Sequence, residues 1–270
     1  MQRKIVAIGG GSVGSSTRAD GTVSPWETEP IDREIVRLTG KAHPNLLVIA
    51  HAQRTAPRQE GWMRSVGAAY AARLGCIGRF LSRETLESDF AEAEAAAAWA
   101  DIIYESGGDT LSMTDLWRAT GFDRVLRQAW EAGTVMCGVS AGANCWFDSC
   151  SSDSLQILRN DPTAPLISVE GIHLVRGFFT PHCDEKSEYF DRLDHMKNAV
   201  REQDTVGFGL SNGAALEIVD DTWRILTGDA SAHGIEPYGA KGYWKNGEYV
   251  FSHLPADGRF RPIGELLAKE

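Results

Sequence analysis

The stretch Gly133-Thr134-Val135-Met136-Cys137-Gly138-Val139-Ser140-Ala141-Gly142-Ala143 decides how this chain folds. Residues 133–137 make a short apolar run suited to a buried strand, and residues 138–142 spell G-x-S-x-G. Gly138 and Gly142 have no side chains, so the backbone can bend sharply between a strand and a helix and leave the Ser140 hydroxyl projecting from the bend. The Ala141 N–H then points into the same space, where it can stabilise an oxyanion. Taken alone, the pattern also describes an ordinary tight turn, because small residues gather at many strand-to-helix junctions.

Outward from the motif, strand and helix patterns alternate. Upstream, KIVAI at 4–8 ends in Gly9-Gly10-Gly11, and 31–38 has helical spacing. NLLVIA at 45–50 reads as a buried parallel strand. A helix at 63–74, a strand at 77–81 and an Ala- and Glu-rich helix at 84–99 follow. A strand at 101–105 then runs into Ser106-Gly107-Gly108-Asp109-Thr110, and a helix at 116–132 leads to the motif strand. Such alternation predicts an α/β fold of three layers, a mostly parallel sheet with helices on both faces. Downstream the chain is richer in strands, at 171–179, 206–210, 214–219 and 223–226, with a helix at 186–201. Hairpin turns are expected at 219–223 and 244–249. No Pro- or Ser-rich linker divides the chain, so residues 1–270 read as a single domain.

Composition narrows the function classes. Hydrophobic residues at 43% and charged residues at 24% fit a soluble globular protein. No run of about 18 apolar residues occurs, so no membrane partner is expected. The start MQRKIVAIGGG reads as a first strand and not a secretory signal, which makes the expected location cytoplasmic. Five scattered cysteines without a C-x-x-C pair argue against a disulfide framework or a structural zinc, and no metal or cofactor is expected. A formal charge of −10 disfavours nucleic acid as a partner.

A serine hydroxyl needs a base to take its proton and a third group to orient that base. His182, in Phe178-Phe179-Thr180-Pro181-His182-Cys183, follows an apolar strand and precedes a helix. Strand C-terminal ends gather on one edge of a parallel sheet, where Ser140 also sits. His51 ends another strand and is the competitor. For the orienting acid, Asp153 in a polar loop just past the motif helix is preferred; Asp148, on that helix, reads as a solvated or capping carboxylate, and Asp184 and Glu185 adjoin His182, where neighbouring side chains rarely hydrogen-bond well to each other. Glycines in the 107–110 loop allow close backbone approach, which makes Gly108 a second oxyanion donor and Asp109 and Thr110 candidate substrate contacts. Gly9-Gly10-Gly11-Ser12-Val13-Gly14 matches G-x-G-x-x-G after a strand. However, residues 15–30 are rich in Gly, Pro, Thr and Asp where a dinucleotide site needs a helix, so that reading is set aside.

With these pieces in order, the chain resembles the peptidase E and cyanophycinase family of serine peptidases, family S51, whose fold is class I glutamine amidotransferase-like. The landmarks are Gly9-Gly10-Gly11, Ser106-Gly107-Gly108-Asp109-Thr110, Gly138-Val139-Ser140-Ala141-Gly142-Ala143-Asn144, Thr180-Pro181-His182 and Gly207-Phe208-Gly209-Leu210. They imply a core over about 3–235 and a C-terminal extension of β-hairpin elements over 236–270. The resemblance implies Ser140 as nucleophile, His182 as base and then acid, Asp153 as its orienter, and Gly108 and Ala141 as oxyanion donors. An amidotransferase would carry Cys where this chain has Ser140. Aspartyl dipeptidases of the family place a carboxylate-binding arginine in the helix after the histidine, where this chain has Tyr189 or a neighbour. The arginine cluster of cyanophycinases is also missing from CDEKSEYFDRL. The expectation is a serine peptidase-like, dipeptidase-like hydrolase acting on a small peptide. A cyanophycinase-like hydrolase and a non-catalytic or regulatory protein of the same fold are the alternatives. A homodimer remains open, with 236–270 packing on the core or on a second subunit.

Overall fold

Alternation within short apolar strands sets the layers. In Lys4–Ile8, Ile5 and Ala7 face one side of the sheet and Val6 and Ile8 the other, and all four are buried. Asn45–Ile49, Ile102–Glu105 and Val135–Val139 repeat the pattern, so helices must cover both faces. Glu29–Leu38 and Ala56–Leu74 bring Ile31, Ile35, Val66 and Tyr70 to one face. Phe90–Trp99, Thr110–Thr120 and Phe122–Glu131 bring Ala96, Met113, Trp117 and Leu126 to the other. The computed structural model describes residues 1–14, 16–17 and 23–270. Part of the helix-poor stretch expected at 15–30 therefore lies outside the described residues.

Two sheets carry the site. The larger has eight strands, ordered Arg261–Pro262, Thr222–Thr227, Ala214–Val219, Lys4–Ile8, Val135–Val139, Ile102–Glu105, Asn45–Ile49 and Ile77–Leu81. The last five run parallel, and Ala214–Val219 joins Lys4–Ile8 antiparallel. The smaller has six, ordered Glu248–Leu254, Gly239–Lys245, Val206–Leu210, Val175–Thr180, Phe147–Ser152 and Ile167–Glu170, with a parallel centre. The expected single, mostly parallel sheet is thus split, although the α/β class with helices on both sides holds. Phe147, Phe179 and Phe208 from the smaller sheet share one apolar cluster with Ile5, Ile103 and Met136 from the larger.

Three expected helices differ in extent, each for a local reason. Asp89 accepts a hydrogen bond from Glu92 N at 3.1 Å and starts a new helix, so 84–99 divides into Arg83–Ser88 and Phe90–Trp99. Gly121, at φ 82, ends Thr110–Thr120 and starts Phe122–Glu131 inside the single helix expected over 116–132. Asp191 caps Leu193 N and Asp194 N, so the helix expected from 186 runs as Arg192–Glu202. Among the described residues no helix is long and apolar enough to cross a membrane. All five cysteines are free and buried.

Candidate active site

Ser140 sits at φ 56, ψ −112 between the strand Val135–Val139 and the short helix Ala141–Asn144. A non-glycine residue rarely holds a positive φ, and its surroundings must impose one. Here Ser140 N donates to Ile8 O at 3.0 Å, and Ser140 O accepts from Ala143 N and Asn144 N at 2.9 Å. Both motif glycines are needed for backbone to approach backbone. A Cβ at Gly138 would lie 2.5 Å from Gly142 O, and one at Gly142 would lie 2.3 Å from Glu105 O. The bend leaves Ser140 half-buried while its neighbours Val139 and Ala141 are buried.

His182 reaches the same place from the smaller sheet. It follows Val175–Thr180 at φ 47, and its N–H donates to Gly9 O at 3.2 Å. Ser140 and His182 are therefore tied to the carbonyls of consecutive residues, Ile8 and Gly9. The ring lies over Gly10, where a Cβ would come within 2.4 Å of His182 Nδ1. That close approach accounts for the glycine run that mimicked a dinucleotide signature.

The orientation of His182 follows from Asn212, which nothing in the sequence singled out. Asn212 Nδ2 donates to Asp184 Oδ2 at 3.0 Å and to Glu185 Oε1 at 3.1 Å, and Asn212 N donates to Asp184 Oδ1 at 2.8 Å. With its amide nitrogen on two carboxylates, its Oδ1 must face the ring, and it lies 2.8 Å from His182 Nδ1. Nδ1 then carries the hydrogen and Nε2 keeps the lone pair, the tautomer a general base requires. Glu185 Oε1 lies 3.3 Å from the same Nδ1. Burial raises the Glu185 carboxyl, but the hydrogen bond and charge of His182, with Asn212 and Arg192, overcome this and bring it down to about 2.

The other expected residues divide. Asp153 does not meet His182: its Oδ2 accepts from the buried Arg192 at 3.1 Å. The position 153 follows the strand beside the one leading to His182, but the histidine side chain turns away, over Gly10 and towards Asn212. His51 is fully buried, with Nε2 3.0 Å from Leu81 O and Nδ1 accepting from Trp117 Nε1 at 2.9 Å. Burial pushes its pKa down to about 3, which leaves it a neutral packing residue. Thr110 is buried and its hydroxyl accepts from Asn144 Nδ2 at 3.0 Å, so it binds the motif helix to the glycine loop instead of meeting solvent. Asp109 is fully buried. One of its oxygens caps Ser112 N at 3.1 Å, and the residue lines a cavity of about 280 Å³ with Arg54, Arg58 and Gly108. Tyr189 is 53% exposed, in the segment before Arg192–Glu202.

The glycine loop faces Ser140 from the next strand: a Cβ at Gly107 would lie 3.5 Å from Ser140 Cβ. Among the described residues, the N–H groups of Gly108 and Ala141 donate to no backbone carbonyl. Glu105 lies beneath, fully buried, accepting from Ser106 N at 2.8 Å, Ala52 N at 3.2 Å and His51 N at 3.3 Å. Burial pushes its carboxyl up to about 8 against the lowering effect of these donors.

The sequence model described as Peptidase family S51 matches residues 17–226. The chain belongs to peptidase family S51. Among relatives, this S51 member is 32% identical over 139 residues to the uncharacterized peptidase YgaJ of Bacillus subtilis (strain 168), covering 51% of this chain and 55% of that protein. The match thus spans about half the length of that relative. The fold is similar to the crystal structure of a peptidase from an acI-B1 Actinobacterium, with a TM-score of 0.65 at 20% identity over 96% of both chains. It is also similar to a putative peptidase E protein from Listeria monocytogenes EGD-e, with a TM-score of 0.53 at 17% identity over 94% of this chain and 100% of the other. The S51 match covers the Ser140, His182 and Asn212 segments together.

Proposed function

We propose that this chain is a serine-type peptidase that cleaves a small peptide through an acyl-enzyme. The observation that carries the reading is a strained serine anchored on Ile8 next to a histidine anchored on Gly9 whose Nδ1 hydrogen is held by Asn212. In the first step Ser140 Oγ gives its proton to His182 Nε2 and bonds to the peptide carbonyl carbon. The resulting oxyanion takes hydrogen bonds from Gly108 N and Ala141 N. When the C–N bond breaks, His182 returns the proton to the leaving amine. A water then loses a proton to His182 and attacks the Ser140 ester; the acyl C–O bond breaks, His182 passes that proton to Ser140 Oγ and the acid leaves, which restores the enzyme. Asn212, backed by Asp184 and Glu185, does the orienting work expected of Asp153.

Ser140→Ala tests this directly. On a dipeptide library, turnover should fall by on the order of 10⁶-fold while circular dichroism stays unchanged. A folded Ser140→Ala protein that keeps full turnover would rule the mechanism out.

A further inference from the structure

The orientation of the Gly107-Gly108 peptide is held by one side chain. Gln53 is 9% exposed, and its Nε2 donates to Gly107 O at 2.5 Å. Its own backbone is fixed, with Gln53 N donating to Ala50 O at 3.1 Å and Gln53 O accepting from Gln59 Nε2 at 3.1 Å. On the far side of Gly108, Asp109 N donates to Ala52 O at 2.9 Å. The peptide is trans, so its C=O and N–H point in opposite directions. With the carbonyl turned to Gln53, the Gly108 N–H is turned away from it.

Neither Gly107 nor Gly108 has a Cβ to bias this plane, and Gly108 stands at φ +141 with Ala52 O only 2.4 Å from where a Cβ would go. A rotated plane would put a carbonyl oxygen where the oxyanion forms and an N–H against Gln53. The Nε2 donor of Gln53 satisfies the observed orientation, whereas a rotated plane would lose this bond unless the side-chain amide turned over to present Oε1.

We propose that Gln53 is a positioning residue: it holds the Gly107-Gly108 peptide with the Gly108 N–H aimed at the oxyanion. This rests on the serine peptidase reading of Ser140. Gln53→Glu inverts the preference, because an ionised carboxylate accepts from an N–H and repels a carbonyl. Gln53→Ala removes the preference without inverting it.

The test uses a fluorophosphonate probe on the full chain, since its reaction needs the same oxyanion donors and no knowledge of the substrate. Ser140 Oγ bonds to phosphorus, the P–F bond breaks, fluoride leaves and His182 takes the serine proton. At neutral pH, Gln53→Glu should react roughly 10²- to 10³-fold slower than wild type, the loss expected for one oxyanion donor. As pH falls and the introduced carboxyl becomes a donor, its rate relative to wild type should climb. Gln53→Ala should react about 10-fold slower, at a ratio to wild type that does not change with pH. A purely structural role for Gln53 would lower thermal stability without producing that pH-dependent ratio. If wild type labels at Ser140 and folded Gln53→Ala labels equally fast, this inference alone falls, and that variant decides the question if Gln53→Glu does not fold. If wild type does not label, the serine reading falls with it.

Discussion

Replacing Asn212 with alanine removes the acceptor that holds the His182 Nδ1 hydrogen and leaves Asp184 and Glu185 without their shared donor. Turnover should then fall by roughly 10²-fold, the scale of general-base catalysis, with thermal stability changed much less. Asn212→Asp adds a third carboxylate beside Asp184 and Glu185 and strengthens the negative field at His182. The acid limb of the pH–rate profile should move to higher pH, and an unmoved limb would mean that Asn212 does not govern the base. At this scale the candidates Ser140, His182, Gly108 and Ala141 stand out in the sequence because each sits in a local strand-end pattern. Asn212 and Gln53 were not, since they act across 30 and 54 positions of chain and alone look like ordinary loop polar residues.

Between strand and helix, the two motif glycines differ in kind from a glycine with open space around it. A methyl group at Gly142 would press on the backbone of Glu105, so Gly142→Ala should cost about 1–3 kcal/mol of stability and abolish labelling of Ser140. Gly61, within the helix Ala56–Leu74, has nothing within 4 Å of its Cβ position. There Gly61→Ala should gain about 0.5–1 kcal/mol through helix propensity. Urea titration of both variants measures the contrast, and equal effects would overturn the packing account. The inner strands of the larger sheet could be read because each is an apolar run buried on both faces. Phe147–Ser152, with the sequence FDSCSS, could not, because serines at its buried positions hide the pattern. That is also why the second sheet went unforeseen: its membership depends on pairing with Val175–Thr180, not on its own composition.

Across the whole molecule, two buried carboxyls tie elements together and tilt stability with pH. Burial raises Asp32 to about 6 although Trp26, Thr28 and Tyr70 all donate to it at 2.6 Å, and Glu105 stands at about 8. Both titrate higher in the folded chain than their ordinary values of 3.8 and 4.5. The stability they contribute is therefore complete below those values and is lost as pH rises, through about 6 for Asp32 and about 8 for Glu105. Denaturation of wild type and Glu105→Gln between pH 5 and 9 should show the wild type losing stability faster as pH rises. Parallel curves would show that Glu105 is ionised throughout.

The shared anchor at Ile8 and Gly9 also governs timing. Lys4–Ile8 is made long before its neighbours Val135–Val139 and Ala214–Val219. The candidate nucleophile and base are both anchored at the end of this strand, which is held along one side by residues 214–219. A nascent chain stalled at 205 should be unreactive to fluorophosphonate, and one extended past 227 should react. Topology would thus delay the site's reactivity until the strand at 214–219 has paired.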